Sequence, residues 1–468
     1  MARIDPATSR SELLGLGVAP LTRAFRDAVC TPVDVLEALQ SAIEEGDELI
    51  NAFCHLDWQQ AFDAARESAL RYRAGAPLGP LDGVPVSVKD LTDVRGWPTR
   101  RGSLVLAEAG PASDDAPAVA LLRRGGAVLF GKTTTTEFGW TIRSDNPLNG
   151  LTRNPIDPAH SAGGSSSGAA AHVAAGWGPL ALGSDAGGSV RIPASYCGLV
   201  GFKPTFGAIP MVPSSAFTEF AHLGPLSRSV DDCRAAMEVL SRPDPCDLAS
   251  TFSRKLGERN RPVRVGWTLL LGSSMQPDEY VTAAFHSSLE QLRAAGCHVQ
   301  EVDARAQDCA DAMWQIWRSR MVESFSGLPA PQRDKLGSGL RQLYREGEAM
   351  SMADLSAARI RLRQMAVDLG RVFSDIDILL TPMTPGCAPV ALEPDRAERA
   401  PAENWFMHSG YSYPFNITGQ PALSLPMGRN PQGLPLGLQI VGHKFHDARV
   451  LEVGAQLEGL LGPIGTES

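Results

Sequence analysis

The stretch SAGGSSSGAAAHVAAGWGPLALGSDAGGSVRIPASYCGLVGFKPT, residues 161–205, carries the most specific pattern in this chain. It places Ser165 and Ser189 on separate loops, each directly after a pair of glycines. Glycine allows backbone amides and a ligand to approach each other closely. A serine hydroxyl is a weak nucleophile alone and needs a base within hydrogen-bond reach. The stretch therefore predicts a catalytic serine, provided that the chain supplies such a base.

A candidate base lies upstream, where the apolar run in Val84–Asp90 (VPVSVKD) ends at Lys89. A single lysine at a strand end is usually solvated, but the apolar residues before Lys89 favour burial. Burial lowers the pKa of a lysine because the charged form loses its hydration, which leaves the amine neutral and basic. Together the three segments predict a serine hydrolase that uses lysine in place of histidine.

Several segments, in this order, resemble the motifs of the amidase signature family. They are GVPVSVKDL (83–91), AGGSSSGAAA (162–171), GSDAGGSVRIPA (183–194) and GLVGFKPTFG (198–207). The resemblance extends to INAF (50–53), GGAVLFGKTTTTEF (125–138), DILLTPMTP (377–385) and the segments NITGQPALSLPMG and GLPLGLQIVG within 416–442. It covers nearly the whole chain and is weakest between about 245 and 370. On these motifs the chain is identified as a member of that family.

The resemblance implies a triad of two serines and a lysine. Ser189 is the implied nucleophile, Ser165 a relay preceded by a non-proline cis peptide bond, and Lys89 the base that deprotonates Ser165. The relay then takes the proton of Ser189 and later delivers one to the leaving amine. The chain departs from the family pattern GGSSGG at Ser167, where glycine is usual. This departure concerns the local backbone and leaves the role of Ser165 unchanged.

The turn Asp185–Gly188 offers successive backbone N–H groups that converge on one point. Such a turn stabilises a developing oxyanion, whereas a helix N-cap is the structural alternative for the serine that follows it. The family pattern assigns the oxyanion-binding amides to Ala186, Gly187, Gly188 and Ser189. Side chains expected to hold the loops through hydrogen bonds are Ser166, Asp185 and Arg191.

The pattern of apolar residues predicts helices first and a covered sheet afterwards. Leu36, Leu39 and Ile43 recur at helical spacing, and Thr31-Pro32 fits an N-cap followed by a proline at the first helical position. From about residue 80, short apolar runs alternate with helical segments, which indicates an α/β sheet covered by helices. The expected fold class is a single large α/β domain with a mixed sheet.

This domain divides into segments along the chain. Within 246–370, VRVGW, a helix near 279–295 and HVQEV predict a βαβ-like unit that forms a lobe over the site. The expected segments are an N-terminal helical segment that packs on the core (1–75), the catalytic core (76–245), a variable lobe over the active site (246–370) and the C-terminal part of the core (371–468).

Composition limits the classes of function. The 468 residues suffice for one large domain, and a net charge of −9 disfavours a nucleic-acid partner held by a basic face. No apolar run is long enough to span a bilayer, and acidic residues precede the short apolar stretch at the start. We therefore expect a cytoplasmic protein without membrane contact. The sequence is compatible with a homodimer but does not require one. The eight cysteines lack CxxC spacing and the nine histidines lack HExxH spacing, so we expect reduced thiols, no metal and no cofactor.

One segment matches the motif of a different enzyme class. Gly126–Thr133 (GAVLFGKT) fits the Walker A expression GxxxxGK[ST] letter for letter. In a P-loop the strand precedes the motif, and the residues between the glycines form the phosphate-binding loop. Here AVLF is itself the predicted strand. The segment therefore disfavours a P-loop nucleotide hydrolase.

The sequence predicts an amidohydrolase that cleaves a linear carboxamide through an acyl-enzyme on Ser189. Esters, anilides and carbamates are open to the same path because the acyl intermediate is shared. One alternative is the A subunit of a glutamyl-tRNA amidotransferase, which has the same triad and needs partner subunits. A non-catalytic scaffold subunit is disfavoured because all three triad positions are intact.

The expected substrate is a small molecule with a neutral, apolar acyl group, in preference to glutamine. In that amidotransferase component, an aspartate shortly before the NxxG segment binds the amino group of the substrate, and the spacing to Asn416 places Ser409 there. Apolar side chains lining a concave site favour apolar ligands, although ordinary core packing is the alternative for each aromatic. Residues expected to line the pocket are Met211, Phe217, Phe220, Trp314, Trp317, Phe325, Trp405, Phe406 and Tyr413.

Overall fold

The computed structural model describes residues 10–250, 263–271, 276–304, 308–393, 396 and 400–462. Its strands are β1 Phe53–Leu56, β2 Pro85–Lys89, β3 Val128–Thr133, β4 Asp145–Asn146, β5 Gly150–Leu151, β6 Leu180–Asp185, β7 Val200–Lys203, β8 His222–Ser227, β9 Val265–Trp267, β10 Val299–Glu301, β11 Ile378–Pro382, β12 Ala422–Arg429 and β13 Pro435–Gly442. Its α-helices are α1 Arg10–Gly15, α2 Val18–Arg26, α3 Pro32–Ile50, α4 Trp58–Arg73, α5 Pro117–Arg124, α6 Ser167–Ala174, α7 Arg191–Tyr196, α8 Val230–Leu240, α9 Glu279–Ala294, α10 Ala310–Phe325, α11 Ala330–Arg333, α12 Ser338–Glu348, α13 Met352–Val372, α14 Pro414–Ile417 and α15 Asp447–Leu461.

Within the described residues, eleven strands form one mixed sheet in the order β1-β3-β2-β6-β8-β7-β12-β13-β11-β9-β10. The pairs β3-β2, β2-β6, β11-β9 and β9-β10 are parallel, and the other pairs are antiparallel. The predicted fold class, a single large α/β domain with a mixed sheet covered by helices, is confirmed. The parallel pair β2-β6 places the carboxyl ends of these two strands at the same edge of the sheet.

Alternation of side chains along each strand divides the core between the two faces of the sheet. Leu129 packs on one face with residues of α5, α8, α9 and α15. Its neighbours Val128 and Phe130 pack on the other face with residues of α3, α6 and α7. The sheet is therefore covered by helices on both faces, which buries its central strands.

The N-terminal helices begin as the sequence predicts. Thr31 caps α3: its side chain accepts a hydrogen bond from the Asp34 N–H at 3.3 Å, and Asp34 accepts one from the Thr31 N–H at 2.7 Å. Pro32 occupies the first turn. Besides the predicted helices, the segment 1–75 contains β1, an edge strand that pairs with β3. The first nine residues, at the start of the chain, lie outside the described residues.

The βαβ unit near the variable region is present but does not lie where the sequence analysis placed it. Strands β9 and β10 pair in parallel around α9, and β9 also pairs with β11. The unit therefore extends the main sheet at the edge opposite β1, instead of forming a lobe over the site. Hydrogen bonding to an open sheet edge explains this position, since a two-stranded unit alone has little stability. Residues 251–262, 272–275 and 305–307 of the predicted lobe lie outside the described residues.

The Walker-like segment forms a strand. Residues Val128–Thr133 are β3, so six of the eight residues of the motif are extended backbone inside the sheet. Lys132 is fully buried, with Nζ 2.9 Å from Asp90 Oδ1. The lysine is thus committed to a buried ion pair and presents no charge to a phosphate. None of the helices among the described residues has the length and apolar character needed to cross a membrane.

Candidate active site

The sheet brings two of the sequence motifs together at one edge. Lys89 is the last residue of β2, and its neighbour Val88 pairs with Leu182 of β6. Since the strands are parallel, the residues that follow Leu182 lie beside Lys89. These include Ser184 and Asp185, the last residues of β6. The pairing of β2 with β6 is thus what brings the lysine motif to the loop that carries Ser189.

Lys89 lies at the centre of a buried cluster of hydroxyl groups. Its Nζ is 2.7 Å from Ser165 Oγ, 2.9 Å from Ser166 Oγ and 3.0 Å from Ser184 Oγ. The side chain is fully buried. Burial lowers the pKa of Lys89 well below its ordinary value, and the nearby charge of Asp185 offsets only part of this effect. The amine is therefore suited to accept a proton from Ser165.

Ser165 is positioned by tightly packed glycines. The peptide bond Gly164–Ser165 is cis, as the resemblance implied. Gly163 has a φ of 77°, and a Cβ on Gly164 would lie 2.0 Å from the carbonyl oxygen of Arg143. Glycine is therefore required at both positions. Helix α6 begins at Ser167, the residue that departs from the family pattern. Ser167 is buried there, and the close contact of Gly164 with Arg143 is kept.

Ser189 joins the cluster through its backbone. Its carbonyl oxygen accepts a hydrogen bond from the Ser166 N–H at 3.2 Å. Among the described residues, no hydrogen bond links the side-chain oxygens of Ser165 and Ser189. The three predicted triad residues thus lie in one buried region, with the Lys89–Ser165 contact already formed.

The carboxylate of Asp185 organises the turn that leads to Ser189. It accepts hydrogen bonds from the N–H groups of Gly188 at 2.7 Å and Val190 at 3.2 Å. The Nε of Arg191 donates to it at 2.9 Å, and neither side chain is exposed. Burial opposes ionisation of Asp185, but the charge and hydrogen bonds of Arg191 outweigh it and hold the carboxyl pKa well below its ordinary value. The predicted hydrogen bonds of Asp185 and Arg191 to the loops are therefore present.

The structure differs from the predicted oxyanion site at one residue, Gly188. The N–H of Gly188 is committed to Asp185 Oδ1, so it is not available to a developing oxyanion. Among the described residues, no hydrogen bond uses the N–H groups of Ala186, Gly187 or Ser189. These three amides remain as candidate oxyanion donors.

Known proteins are similar to this chain over nearly its whole length. Residues 34–451 match the family model described as Amidase. An acylamidase of Rhodococcus erythropolis is 34% identical over 442 residues, which cover 92% of each chain. A crystal structure of a bacterial aryl acylamidase of the amidase signature family has a TM-score of 0.86 and 28% identity, and it covers 95% of this chain and 96% of that one. The A subunit of the glutamyl-tRNA(Gln) amidotransferase of Lachnospira eligens is 29% identical over 479 residues, 95% of this chain and 98% of that protein.

The chain belongs to the amidase signature family. As a member of this family it is an amidohydrolase that acts on carbon–nitrogen bonds of small-molecule amides. The sequence-based identification is thereby confirmed.

The aromatic residues predicted for the pocket of this amidase signature enzyme form a packed cluster. Phe217 stacks on Trp317 with ring centroids 3.7 Å apart, and Trp405 meets Trp317 edge-on at 5.6 Å. A Cβ on Gly187 would lie 2.7 Å from the Trp405 ring. The cluster therefore packs directly against the turn before Ser189. Buried in the same core are Phe220, Trp314, Phe325 and Phe406.

Two other predicted pocket residues, Met211 and Tyr413, also pack in or against this aromatic core. Met211 lines a cavity of about 60 Å³. Ser184, one of the serines around Lys89, lines the same cavity. Tyr413 is buried, and its hydroxyl accepts a hydrogen bond from the Cys309 N–H at 3.3 Å, next to the start of α10. The position of Tyr413 thus corresponds to core packing, the alternative that the sequence left open. Ser409, which the resemblance aligned with an aspartate of the amidotransferase subunit, is buried close by.

Sequence reasoning missed three polar residues of this site. Asn416 donates to Asp185 Oδ1 at 2.8 Å and accepts from Arg191 at 2.7 Å. Gln439 accepts a hydrogen bond from Arg191 at 2.8 Å, and Ser184 contacts Lys89. Asn416 and Gln439 lie in the C-terminal segments of the family resemblance, and Ser184 directly precedes Asp185. Their presence in these motifs was the available indication of a role at the site.

Proposed function

We propose that this chain hydrolyses a carboxamide through an acyl-enzyme on Ser189. The observation that carries the proposal is the contact between the fully buried Lys89 Nζ and Ser165 Oγ at 2.7 Å. Burial lowers the pKa of this lysine, which favours the neutral amine. A neutral amine in contact with a serine hydroxyl can act as a general base for that serine. The similarity to an acylamidase supports the same activity.

The proposed reaction begins at the lysine. Lys89 accepts the proton of Ser165, which takes the proton of Ser189 as Ser189 Oγ attacks the amide carbon. The amides of Ala186, Gly187 and Ser189 bind the oxyanion of the tetrahedral intermediate. Ser165 then returns a proton to the leaving nitrogen and the carbon–nitrogen bond breaks.

Water completes the cycle. The acyl-enzyme is an ester of Ser189, and a water molecule deprotonated by the same relay attacks its carbonyl carbon. The acid leaves and Ser189 regains its proton. Asp185 and Arg191 act as positioning residues, because they hold the backbone of the turn and have no role in proton transfer.

The proposed substrate is a linear carboxamide with a neutral, apolar acyl group, and esters, anilides and carbamates follow the same path. The aromatic cluster packed on Gly187 supports this, since the acyl group of a bound substrate lies next to the oxyanion donors. Ser409 supports it as well, because a serine supplies no charge to bind the amino group of glutamine.

Purified chain assayed with apolar acyl amides, anilides, esters and carbamates tests the proposal. We expect hydrolysis by the isolated chain and its loss in Ser189→Ala. The exposed Ser113 provides the matched control, and Ser113→Ala is expected to retain full turnover. Near-normal amide turnover by Ser189→Ala would contradict the proposed mechanism.

A second candidate is the A subunit of a glutamyl-tRNA amidotransferase. The similarity to such a protein over 95% of this chain favours it. The two functions differ in the substrate that donates nitrogen and in the need for partner chains. A comparison of kcat/KM for glutamine and for a hexanoyl amide with the isolated chain separates them. Equal values, or a preference for glutamine, would favour the amidotransferase function.

A further inference from the structure

A cavity of about 60 Å³ adjoins the cluster of serine hydroxyls around Lys89, and one arginine lines it. Its lining includes Ser184, which contacts Lys89, and the apolar side chains of Leu91, Phe138 and Met211. Arg101 lines the same cavity and is half-buried. Hydroxyl side chains and Asp93 complete the lining. The cavity therefore combines apolar and polar walls with a single cationic side chain, next to the site of the proposed reaction.

The backbone around Arg101 is held in a fixed position. Arg101 has a φ of 52°, in the left-handed region that non-glycine residues rarely adopt. Its carbonyl oxygen accepts a hydrogen bond from the Phe138 N–H at 2.8 Å. The following residue, Gly102, has a φ of 63°, and a Cβ there would lie 2.9 Å from the carbonyl oxygen of Thr135. The left-handed backbone thus carries the arginine at the cavity wall.

The guanidinium of Arg101 has no anionic partner among the described residues. Asp90 is committed to Lys132 at 2.9 Å and to the N–H of Arg100 at 3.2 Å. Asp93 lines the cavity but forms no ion pair with Arg101. A partly desolvated guanidinium that lacks a counter-ion is well suited to bind an anionic group of a ligand, and it matches the planar geometry of a carboxylate.

The position of the cavity indicates which part of a substrate it accepts. A Cβ on Gly139, next to Phe138, would lie 2.9 Å from Leu91 Cδ1 and 3.3 Å from Ser165 Oγ. The cavity wall formed by Leu91 and Phe138 is therefore adjacent to Ser165. In the proposed reaction Ser165 delivers a proton to the leaving nitrogen, whereas the acyl group lies near Gly187 and the aromatic cluster.

We infer that the cavity binds the leaving amine of the substrate and that Arg101 binds a carboxylate on that amine. This inference rests on the proposed function and narrows its substrate class to apolar N-acyl amino acids. The reaction is RCO–NH–R′–COO⁻ + H₂O → RCOO⁻ + ⁺H₃N–R′–COO⁻, in which the carbon–nitrogen bond breaks and water supplies the oxygen of the released acid.

Three amides that share one acyl group test the inference. They are N-hexanoylglycine, N-hexanoyl-4-aminobutyrate and N-hexanoyl-n-butylamine, which place a carboxylate at two distances from the scissile bond or omit it. We expect kcat/KM for at least one of the carboxylate amides to exceed that of the butylamide by about tenfold or more, as a charge-assisted hydrogen bond provides. Arg101→Gln is expected to abolish this ratio and Arg101→Lys to retain part of it.

The control is Arg124→Gln, which makes the same change in net charge at an exposed arginine at the end of α5 and is expected to keep the ratio. Equal hydrolysis of the neutral amide and both carboxylates, or a ratio that survives Arg101→Gln, would overturn the subsite and leave the proposed function intact. If none of the amides is hydrolysed, the proposed function fails.

Calorimetric binding of the same compounds to Ser189→Ala then decides the subsite. Tighter binding of a carboxylate amide than of the butylamide, lost when Arg101→Gln is added, supports the subsite. Equal binding of all three amides overturns it.

Discussion

Asp185 and Arg191 form a fully buried ion pair, with Arg191 Nε 2.9 Å from Asp185 Oδ2, directly behind the turn that carries Ser189. The pair is hydrogen-bonded on all sides. Asp185 also accepts from the Gly188 and Val190 N–H groups, and Arg191 also donates to Asn416 Oδ1 at 2.7 Å. A buried charge is tolerated when its partner and its hydrogen bonds replace water. The pair therefore fixes the backbone of the turn that leads to Ser189.

Asp185→Asn should destabilise the fold, because it leaves the Arg191 charge buried and unpaired. We expect the free energy of unfolding to fall by roughly 3–5 kcal/mol in urea titrations. The control is Asp63→Asn, which breaks an exposed pair with Arg66 at 2.8 Å. That variant is expected to change stability by less than about 1 kcal/mol. Equal losses in the two variants would show that the buried pair does not hold the turn.

Lys89→Ala should abolish most amide turnover while leaving the chain folded, because the base and the nucleophile act as one unit. Lys335→Ala, at an exposed lysine, is the matched control and should be fully active. Circular dichroism of both variants verifies that they are folded. Normal amide turnover by folded Lys89→Ala would exclude lysine as the base.

Ser165→Ala should separate amides from esters. The variant loses the group that protonates the leaving nitrogen, whereas an alkoxide or phenoxide leaves with less help. We therefore expect severe loss of amide hydrolysis with slow residual ester hydrolysis, measured as kcat/KM on an amide and an ester of the same acid. An equal fractional loss on both substrates would contradict the relay.

The rate of amide hydrolysis should rise with pH and reach its plateau below the ordinary lysine pKa of 10.5. Lys89 must be neutral to act as a base, and burial lowers its pKa, so the neutral form appears at a lower pH than in a solvated lysine. A profile of kcat/KM against pH on an apolar amide measures this. A rate that falls as pH rises from neutral would be inconsistent with a lysine base.

Glu137 should make the fold less stable as pH rises. Burial raises the pKa of Glu137 from 4.5 to about 7, even though its carboxylate accepts hydrogen bonds from Ser103 Oγ at 2.6 Å and the Gly337 N–H at 2.9 Å. The folded chain therefore holds a proton that the unfolded chain releases between pH 4.5 and about 7. The stability from this proton is complete below pH 4.5 and is lost as pH rises through about 7.

Glu137→Gln stays neutral and should flatten this dependence. We expect the melting temperature of the wild-type chain to fall more between pH 4.5 and pH 7 than that of Glu137→Gln. Glu403→Gln, at an exposed glutamate, should follow the wild-type profile. Parallel profiles for all three proteins would exclude Glu137 as a source of the effect.

The contact of Lys89 with Ser165 was predictable because both residues lie in short motifs whose order and spacing define one family. The fold class followed from apolar runs that alternate with helical segments. The capping of α3 by Thr31 was also predictable, since it depends on residues adjacent in sequence.

Other features depend on contacts that local sequence does not encode. The commitment of the Gly188 N–H to Asp185 follows from the exact path of one turn. The edge of the sheet that receives β9 and β10 depends on which strand is left unpaired. An aromatic residue list does not separate core from pocket, as Tyr413 illustrates. The cavity position of Arg101 depends on a left-handed backbone at a non-glycine residue.

The identity of the nucleophile is the central claim, and a covalent label tests it most directly. The purified chain is treated with an aryl ester of hexanoic acid or with a fluorophosphonate, and the labelled peptide is located by mass spectrometry. The account predicts one adduct, on Ser189, that is absent from Ser189→Ala and present in Ser113→Ala. An adduct on Ser165 or on any other residue, or an adduct that persists in Ser189→Ala, would contradict it.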